Sequence, residues 1–197
     1  MSITPNLILE NEAVILRGLQ QSDFEFFLPF SINEPELWKY SLVQANGKEN
    51  LENYISIALT AKANLTDFPF IVYDKINQEY AGSTRFYDIN FSFKTVQLGY
   101  TWYGKKFQGT GLNKNCKYLL LEFAFEKMNV ERVGFRANNS NKRSIAAMKS
   151  IGCIEEGILR NFSTDAAGNR IDAIVLSILK NEWFASVKEN LKNKIKN

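Results

Sequence analysis

The chain has 197 residues, of which 45% are hydrophobic and 23% charged, and a net charge of +3 at pH 7. This composition is typical of one globular domain with a substantial core, and no apolar run approaches the ~20 residues needed to span a bilayer. The chain contains no histidine, which excludes Ser-His-Asp and Cys-His catalysis as usually built and most catalytic zinc sites, so proton transfer must use other groups.

The two cysteines, Cys116 and Cys153, are too few and too far apart to indicate a disulfide scaffold or a zinc knuckle. The first ten residues lack the basic start and apolar stretch of a secretion signal. We therefore expect a cytoplasmic protein in a reducing compartment. The modest positive charge does not by itself indicate nucleic acid, and we expect neither a nucleic acid nor a membrane as partner.

The first half of the chain predicts one strand, three helices and then three antiparallel strands. In chain order these are a strand at 13–19, helices at 24–30, 34–38 and 47–63, and strands at 68–73, 80–89 and 96–103, with a hairpin turn at 75–79. The alternation of apolar and polar residues is clearest in the last of these strands, from Val96 to Tyr103.

The second half alternates helix and strand. It predicts a long helix from residue 112, a strand at 130–137, a helix ending before Gly152, strands at 153–162 and 171–179 with a turn at 165–169, and a final helix whose basic end, 188–197, we expect to fray. This order predicts a mixed sheet with helices on both faces, and no linker divides the chain into two domains.

The stretch 96–116 joins a strand, a basic glycine loop and the first turn of a helix. Gly109 and Gly111 bring bare backbone to the start of that helix, where free N–H groups and the helix dipole favour an anion. Lys105 and Lys106 add positive charge to the same loop. The stretch therefore predicts an anion cradle.

Two common phosphate-binding motifs do not fit this loop. A Walker loop needs a lysine where Thr110 stands, and a dinucleotide fingerprint needs a third glycine in the stretch occupied by Asn113 and Lys114. A tight strand–helix turn whose glycines serve only packing remains an alternative.

A third motif fits. The residues Gln108-Gly109-Thr110-Gly111-Leu112-Asn113 resemble the Gln/Arg-x-x-Gly-x-Gly/Ala motif of the GNAT acyltransferases, which binds the pyrophosphate of acyl-coenzyme A. Asn113 departs from that motif, which ends on a small residue.

The resemblance to this family extends over roughly Leu9 to Trp183. Two further blocks carry it, namely Leu98-Gly99-Tyr100 and Asn141-x-x-Ser144 with Ile151-Gly152-Cys153. The C-terminal segment Val175-x-Ser177-Ile178 with Glu182-Trp183 is similar to the branch that contains ribosomal-protein N-terminal acetyltransferases.

The resemblance implies an α+β, three-layer fold of the GNAT type, with a mixed, mostly antiparallel sheet of about seven strands and helices on both faces. It implies one acetyltransferase domain at 9–183, followed by a C-terminal helix and basic tail at 184–197. A homodimer through an exposed sheet edge or the C-terminal segment is a further expectation.

The function implied by the resemblance is direct transfer of an acetyl group from acetyl-CoA to an amine, without a metal. The acceptor would be a protein N-terminus or a small-molecule amine. One alternative is an acyl-CoA-binding sensor without turnover, because Gln97 stands where relatives often carry Glu and Met148 where many carry Tyr. A nucleic-acid-binding module is a second alternative, supported only by the basic tail with Lys188, Lys192, Lys194 and Lys196.

The resemblance also implies a bulge in the strand before the loop, with backbone N–H groups aimed at the thioester. It places the cofactor on Thr101, Trp102, Tyr103, Lys105, Lys106, Gln108, Gly109, Thr110, Gly111, Leu112, Asn113, Asn141 and Ser144. The candidate catalytic residues are Tyr100, Asn141 and Ser144, and the candidate acceptor-binding residues are Trp38, Arg85 and Tyr87.

Several of these residues have simpler structural explanations. Asn141 is a good helix cap, Trp38 and Met148 are good core residues, and Arg85 can pair with Asp88 on the same predicted strand. The general base stays open between Asp88, Tyr100, Tyr103 and a water relay. A water relay suffices for an α-amine, whose pKa is about 8, whereas a lysine amine, whose pKa is about 10.4, needs more help to lose its proton. This difference favours an acceptor amine with a low pKa.

Overall fold

The computed structural model describes residues 6–165 and 168–195. Eight strands lie within these residues: β1 Ile8–Glu10, β2 Val14–Gly18, β3 Phe68–Asp74, β4 Glu79–Asn90, β5 Thr95–Tyr103, β6 Arg132–Asn138, β7 Ile154–Thr164 and β8 Arg170–Leu179. They form one sheet in the order β1-β2-β3-β4-β5-β6-β8-β7. The pair β5–β6 is parallel and the other neighbouring pairs are antiparallel.

The main helices are α1 Phe24–Asn33, α2 Lys48–Ala63, α3 Leu112–Glu122, α4 Lys142–Ser150 and α5 at the C-terminus. Helix α3 continues into a π-helical turn, Phe123–Lys127, and α5 is built from Lys180–Glu182, a π-helical turn at Trp183–Val187, and Lys188–Ile195. Short 3-10 helices lie at Gln21–Asp23, Pro35–Trp38 and Lys105–Phe107. No helix among the described residues is long and apolar enough to cross a membrane.

Apolar side chains form two cores on opposite faces of the sheet. Because successive side chains of a strand point to opposite faces, Phe70 and Tyr103 lie in the core with α3, α4 and α5, whereas their neighbours Ile71 and Trp102 lie in the core with α1 and α2. The sheet is therefore the middle of three layers, as predicted.

The parallel pair β5–β6 positions the loop before α3. A parallel pair needs a crossover connection, and here the crossover runs from the end of β5 through Lys105–Phe107 into α3. The N-terminus of α3 therefore lies at the end of β5. This places the glycine loop next to the one point in the described sheet where two parallel strands meet.

The predicted α+β architecture is confirmed, with three corrections. The sheet has eight strands rather than about seven, because β1, at three residues, is too short to show a periodic pattern and is held by its pairing with β2. The helix predicted at 34–38 is a 3-10 helix that begins at Pro35.

The third correction concerns the C-terminal end, which we expected to fray. It continues as helix to Ile195, with Leu191 buried in the main core and Lys188 Nζ 2.7 Å from Glu126 Oε1. The burial of Leu191 therefore keeps this segment helical despite its basic composition.

Lys196 of the predicted tail, and residues 166–167 of the predicted turn, lie outside the described residues. The predicted division at 183 and 184 falls within α5 and stays a prediction.

Candidate active site

Strand β5 carries a β-bulge. Ser83 on β4 pairs with Trp102, and Arg85 pairs with Gly99, so that Thr84 lies opposite both Tyr100 and Thr101. Tyr100 takes a φ of 49°, in the left-handed region that a tyrosine rarely adopts. Such strain amounts to roughly 1–3 kcal/mol and persists only where the surroundings impose it. The bulge implied by the family resemblance is present.

Contacts to the Tyr100 ring hold the bulge in place. The Arg85 guanidinium lies 4.2 Å from the ring centroid, and the Tyr87 ring packs edge-on at 5.2 Å. Arg85 is 2% exposed, and its Nη1 donates to Asp67 Oδ2 at 3.2 Å. A buried arginine with an ion-pair partner fixes the ring, and through the ring the backbone of Tyr100.

After Gln97, β5 and β6 diverge and leave an opening between the two strands. Their ladder joins only Thr95–Gln97 with Arg132–Gly134. From residue 98 to residue 103, β5 has no ladder partner on its β6 side. Backbone groups there that do not pair with β4 are available to another molecule, except the Gly99 and Tyr103 carbonyls, which accept from Thr101 and Gln108. Trp102 and Tyr103 bury their side chains in opposite cores. Of these two residues, only the backbone lines the opening, as the family resemblance implies.

The loop after β5 has the geometry of an anion cradle. Gly109 has a φ of 81°, and Gly111, the N-cap of α3, has a φ of 87°. A Cβ at either position would meet no atom within 4 Å, so the backbone conformation, and not crowding, selects glycine there. A tight strand–helix turn needs the same backbone conformation, so that alternative and the cradle both stay predictions.

This loop has backbone donors without partners. The backbone N–H groups of Gly109, Thr110 and Gly111 have no acceptor among the residues that the structure describes. Together with the positive end of the α3 dipole, they favour a bound phosphate. Asn113, which departs from the family motif, is half-buried in the first turn of α3.

Side chains fix the shape of the loop. Gln108 Nε2 donates to the Tyr103 carbonyl at 2.9 Å, and Gln108 Oε1 accepts from Arg143 on α4. Thr110 Oγ1 donates to the Phe107 carbonyl at 2.8 Å. Gln108 and Thr110 thus use these side-chain groups within the protein, which leaves the loop backbone as the predicted contact for an anion.

Arg143 is a cation that sequence reasoning missed. It lies within the block Asn141-x-x-Ser144, which we matched to the family, but its position beside the loop depends on how α4 packs. Of the two predicted loop lysines, Lys106 pairs with Glu79, whereas Lys105 is exposed. Arg143 and Lys105 therefore add positive charge around the cradle.

The second matched block lies on α4. Asn141 is the N-cap, since its Oδ1 accepts from the Ser144 backbone N–H at 3.1 Å, which is the structural role that we weighed against catalysis. Ser144 is half-buried, and Met148 lies in the main core. A role for Asn141 or Ser144 toward the cofactor stays a prediction.

Two polar groups at the start of the opening are without strong base character. Gln97 lies against Gly134, where a Cβ would come within 2.5 Å of Gln97 Oε1. That oxygen is buried and has no hydrogen-bond partner among the described residues. Burial raises the pKa of Tyr100 above its ordinary value, so its phenol keeps its proton at neutral pH.

The predicted acceptor side is aromatic and mostly buried. Trp38 is 1% exposed, packs against Trp102 with ring centroids 4.9 Å apart, and lies beneath the surface rather than on it. Tyr87 lies over Gly99, and burial raises the pKa of its phenol. Both assignments to an acceptor stay predictions.

The expected pairing of Arg85 with Asp88 is wrong. Arg85 pairs with Asp67, and Asp88 instead accepts from Arg136 Nη2 at 2.9 Å. Asp88 takes a φ of 50° in an irregular part of the β4–β5 ladder. Asp88 is therefore occupied by a cation and is a poor candidate for the base.

Lys117 on α3 was missed altogether. Its side chain is buried, at 5% exposure for the residue, and Nζ lies 2.7 Å from Thr101 Oγ1 and 3.2 Å from Thr84 Oγ1. The sequence did contain a signal of this burial. Lys117 precedes Leu120 by three positions and Leu121 by four, which places a charged residue on the apolar face of the helix. The side chain approaches the bulge from the α3 face of the sheet.

Comparisons with known proteins agree with this geometry. Residues 13–154 match the family described as the acetyltransferase (GNAT) domain. The Bacillus licheniformis protein p20, named as an N-acetyltransferase of uncharacterised role, is 25% identical over 180 residues, which cover 89% of this chain and 97% of p20.

Two further relatives are informative. Bacillus subtilis (strain 168) YdaF, whose name describes a candidate ribosomal N-acetyltransferase, is 33% identical over 90 residues, covering 46% of this chain and 48% of YdaF. The crystal structure of a candidate acetyltransferase from T. thermophilus is similar over 99% of this chain and 100% of that chain, with a TM-score of 0.86 and 29% identity.

Proposed function

Because the chain belongs to the GNAT acetyltransferase family, whose members take their acetyl group from acetyl-CoA, we propose that it transfers that group directly to an amine in a ternary complex. The observation that carries the proposal is the continuity of three features along one segment. The bulge at Tyr100, the unpaired edge of β5 and the cradle at Gly109 and Gly111 follow one another without interruption.

The residues present fit acetyl-CoA. The free N–H groups of Gly109, Thr110 and Gly111 would hold the pyrophosphate, with Arg143 close by. The unpaired backbone of β5 from residue 99 to residue 103 would hold the amide-containing arm. The bulge would turn a backbone N–H group toward the opening, where it would stabilise the charge that develops on the thioester carbonyl.

We further propose an acceptor with a low amine pKa, such as a protein N-terminus. Asp67 and Asp88 are engaged by Arg85 and Arg136, and Tyr100 keeps its proton, so these three groups supply no strong base. An α-amine with a pKa near ~8 is about one-tenth neutral at pH 7 and needs only a water relay. The name of YdaF describes a ribosomal acceptor, which agrees with a protein as the acceptor here. A cytoplasmic location would supply both substrates.

The test measures binding and turnover separately. A thermal shift with acetyl-CoA and with CoA reports binding, and thiol release reports transfer. The acceptors are peptide pairs of one sequence, with either the α-amine or a lysine amine free and the other blocked by acetylation.

We expect a shift with both nucleotides and faster release with the free α-amine. Faster release with the lysine amine would contradict the acceptor class. Binding with no release across the panel would favour an acyl-CoA sensor, in line with Gln97 and Met148. No shift with either nucleotide would overturn the proposal.

A further inference from the structure

Lys117 is a buried cation directly behind the bulge of β5. Its Nζ donates to Thr101 Oγ1 at 2.7 Å and to Thr84 Oγ1 at 3.2 Å, and the two hydroxyl oxygens are 2.8 Å apart. Thr101 is itself exposed. The hydroxyl of Thr101 therefore separates a buried ammonium from the solvent-facing side of the bulge.

The ammonium has no counter-ion among the residues that the structure describes. The ionisable groups whose charge acts on it are Cys116 on α3 and Cys153 before β7, and both are neutral at pH 7 because burial raises the pKa of each thiol to about 12. Tyr103, also buried on this face, is neutral because burial raises its pKa. The charge of Lys117 is thus neither paired nor screened by solvent.

Burial without a carboxylate disfavours the charged form and lowers the pKa of Lys117 from 10.5 to about 8. A buried lysine of this kind weakens folding, and a strongly perturbed group beside a functional opening is a candidate for a chemical role. An aliphatic side chain of similar length would fill the same space without this cost.

The hydrogen bonds have a direction. A lysine ammonium only donates, so both threonine oxygens accept from Lys117. Either hydroxyl can be the donor across the 2.8 Å between them, and where Thr84 donates, the proton of Thr101 is free for another acceptor. The Gly99 carbonyl, at 3.3 Å, is a weak partner for that proton. A negatively charged atom in the opening would be a stronger one.

We propose that Lys117, acting through the Thr101 hydroxyl, stabilises and then protonates the sulfur that leaves when the acetyl group is transferred. The inference rests on the proposed binding of acetyl-CoA along β5. Lys117 is a positioning residue in this scheme, since Thr101 stands between it and the sulfur. It supplies the proton source for which Met148 has no suitable group.

The step balances. Transfer forms one carbon–nitrogen bond and breaks one carbon–sulfur bond, whose electron pair stays on the sulfur. Thr101 Oγ1 gives its proton to the sulfur and takes one from Lys117 Nζ, which becomes a neutral amine. The acceptor nitrogen releases one proton to water, and Lys117 regains one from solvent, so that the products are an amide and a thiol.

The experiment titrates the thiol of bound CoA by its ultraviolet thiolate absorbance, in wild type and in the variants K117R, K117M and T101V. CoA lacking its sulfur serves as the matched ligand for binding affinity. In wild type we expect the acid dissociation constant of the bound thiol to be about tenfold above that of free CoA, since a nearby opposite charge shifts a pKa by ~1–3 units. K117R should keep most of this shift.

K117M should abolish the shift while its affinity for the sulfur-free ligand stays within about twofold of wild type, and T101V should reduce the shift. A bound thiol that titrates as in free CoA in wild type would overturn the inference and leave acetyl-CoA binding intact. Lack of CoA binding by wild type would overturn both proposals. Acetylation of Lys117 itself, detected by mass spectrometry after incubation with acetyl-CoA, would also contradict it, because the ammonium must remain free.

Discussion

At Lys117, burial beside two threonine hydroxyls lowers the pKa to about 8, whereas the unfolded chain has the ordinary value of 10.5. The folded state therefore penalises the ammonium. The penalty is complete below pH 8 and fades as the pH rises toward 10.5, because the unfolded state binds the extra proton in that window. Between pH 9 and 12 the two buried thiols act in the opposite direction, since burial raises their pKa from 9.0 to about 12.

Replacing Lys117 by methionine should raise the free energy of unfolding at pH 7 by about 1–3 kcal/mol, as for other buried charges exchanged for apolar groups. Urea unfolding of wild type and K117M at pH 7 and pH 9 measures the difference. At pH 9 the folded wild type has largely lost the Lys117 proton, so its penalty is smaller and the difference in the free energy of unfolding should shrink. The two thiols are present in both proteins and do not contribute to this difference. A less stable K117M protein at pH 7 would mean that Lys117 holds the fold together.

Gly111 and Gly47 allow a matched comparison, because each is the N-cap of a helix, has a positive φ, and has open space around its missing Cβ. We expect G111A and G47A each to lower the free energy of unfolding by about 1–3 kcal/mol, because Gly111 takes the left-handed helical region and Gly47, with a ψ of 162°, takes another region nearly restricted to glycine. Only G111A should also weaken CoA binding, by about tenfold or ~1.4 kcal/mol, because its Cβ enters the cradle. Calorimetric titration with CoA measures this, and equal affinity of the two variants would contradict the position of the cradle.

The sequence predicted the cradle but not Lys117. Gly109 and Gly111 could be identified because only a few loop geometries place glycines before a helix, and the family motif narrowed the choice. The burial of Lys117 depends instead on how α3 packs against β4 and β5, which no local pattern contains. The partner of Arg85 was mistaken for a related reason, since Asp67 precedes β3 and meets Arg85 only through the pairing of β3 with β4.

Among the elements, β5 contributes most to the site because it is regular where it pairs with β6 and irregular where it faces the opening. The alternation of residues 96–103 predicted the strand. The bulge was predicted from the family resemblance, because the alternation by itself does not show where the ladder with β4 is interrupted. Strand β1 was missed because its three residues depend on the partner β2 and not on a pattern of their own.

The bulge should depend on the planar guanidinium of Arg85 and not only on its charge. We expect R85K to keep CoA affinity within about twofold but to slow acetyl transfer about tenfold, or ~1.4 kcal/mol in the barrier, because the Tyr100 backbone loses its support. R136K is the control, since Arg136 pairs with the exposed Asp88, and should change stability by less than ~0.5 kcal/mol. An R85K enzyme with unchanged turnover would show that the bulge is held without the guanidinium.

At the scale of the whole molecule, the predicted order of elements gave the three layers but not the order of strands in the sheet. Strand β8 lies between β6 and β7, and this placement follows from long-range pairing that sequence spacing does not encode. Strand β7 is the last strand of the sheet and exposes Ile154, Ile158 and Leu159. The homodimer that we expected through a sheet edge or the C-terminal segment stays a prediction.

The central claim is that one continuous segment, from the bulge of β5 to the first turn of α3, binds CoA. Amide NMR of the 15N-labelled protein, titrated with CoA, tests it most directly. We predict that the largest shifts fall on the backbone N–H groups of residues 99–103 and 109–113, which lie along the open edge of β5 and at the cradle. Shifts confined to α5 and β7, with those of the loop unchanged at saturation, would contradict it.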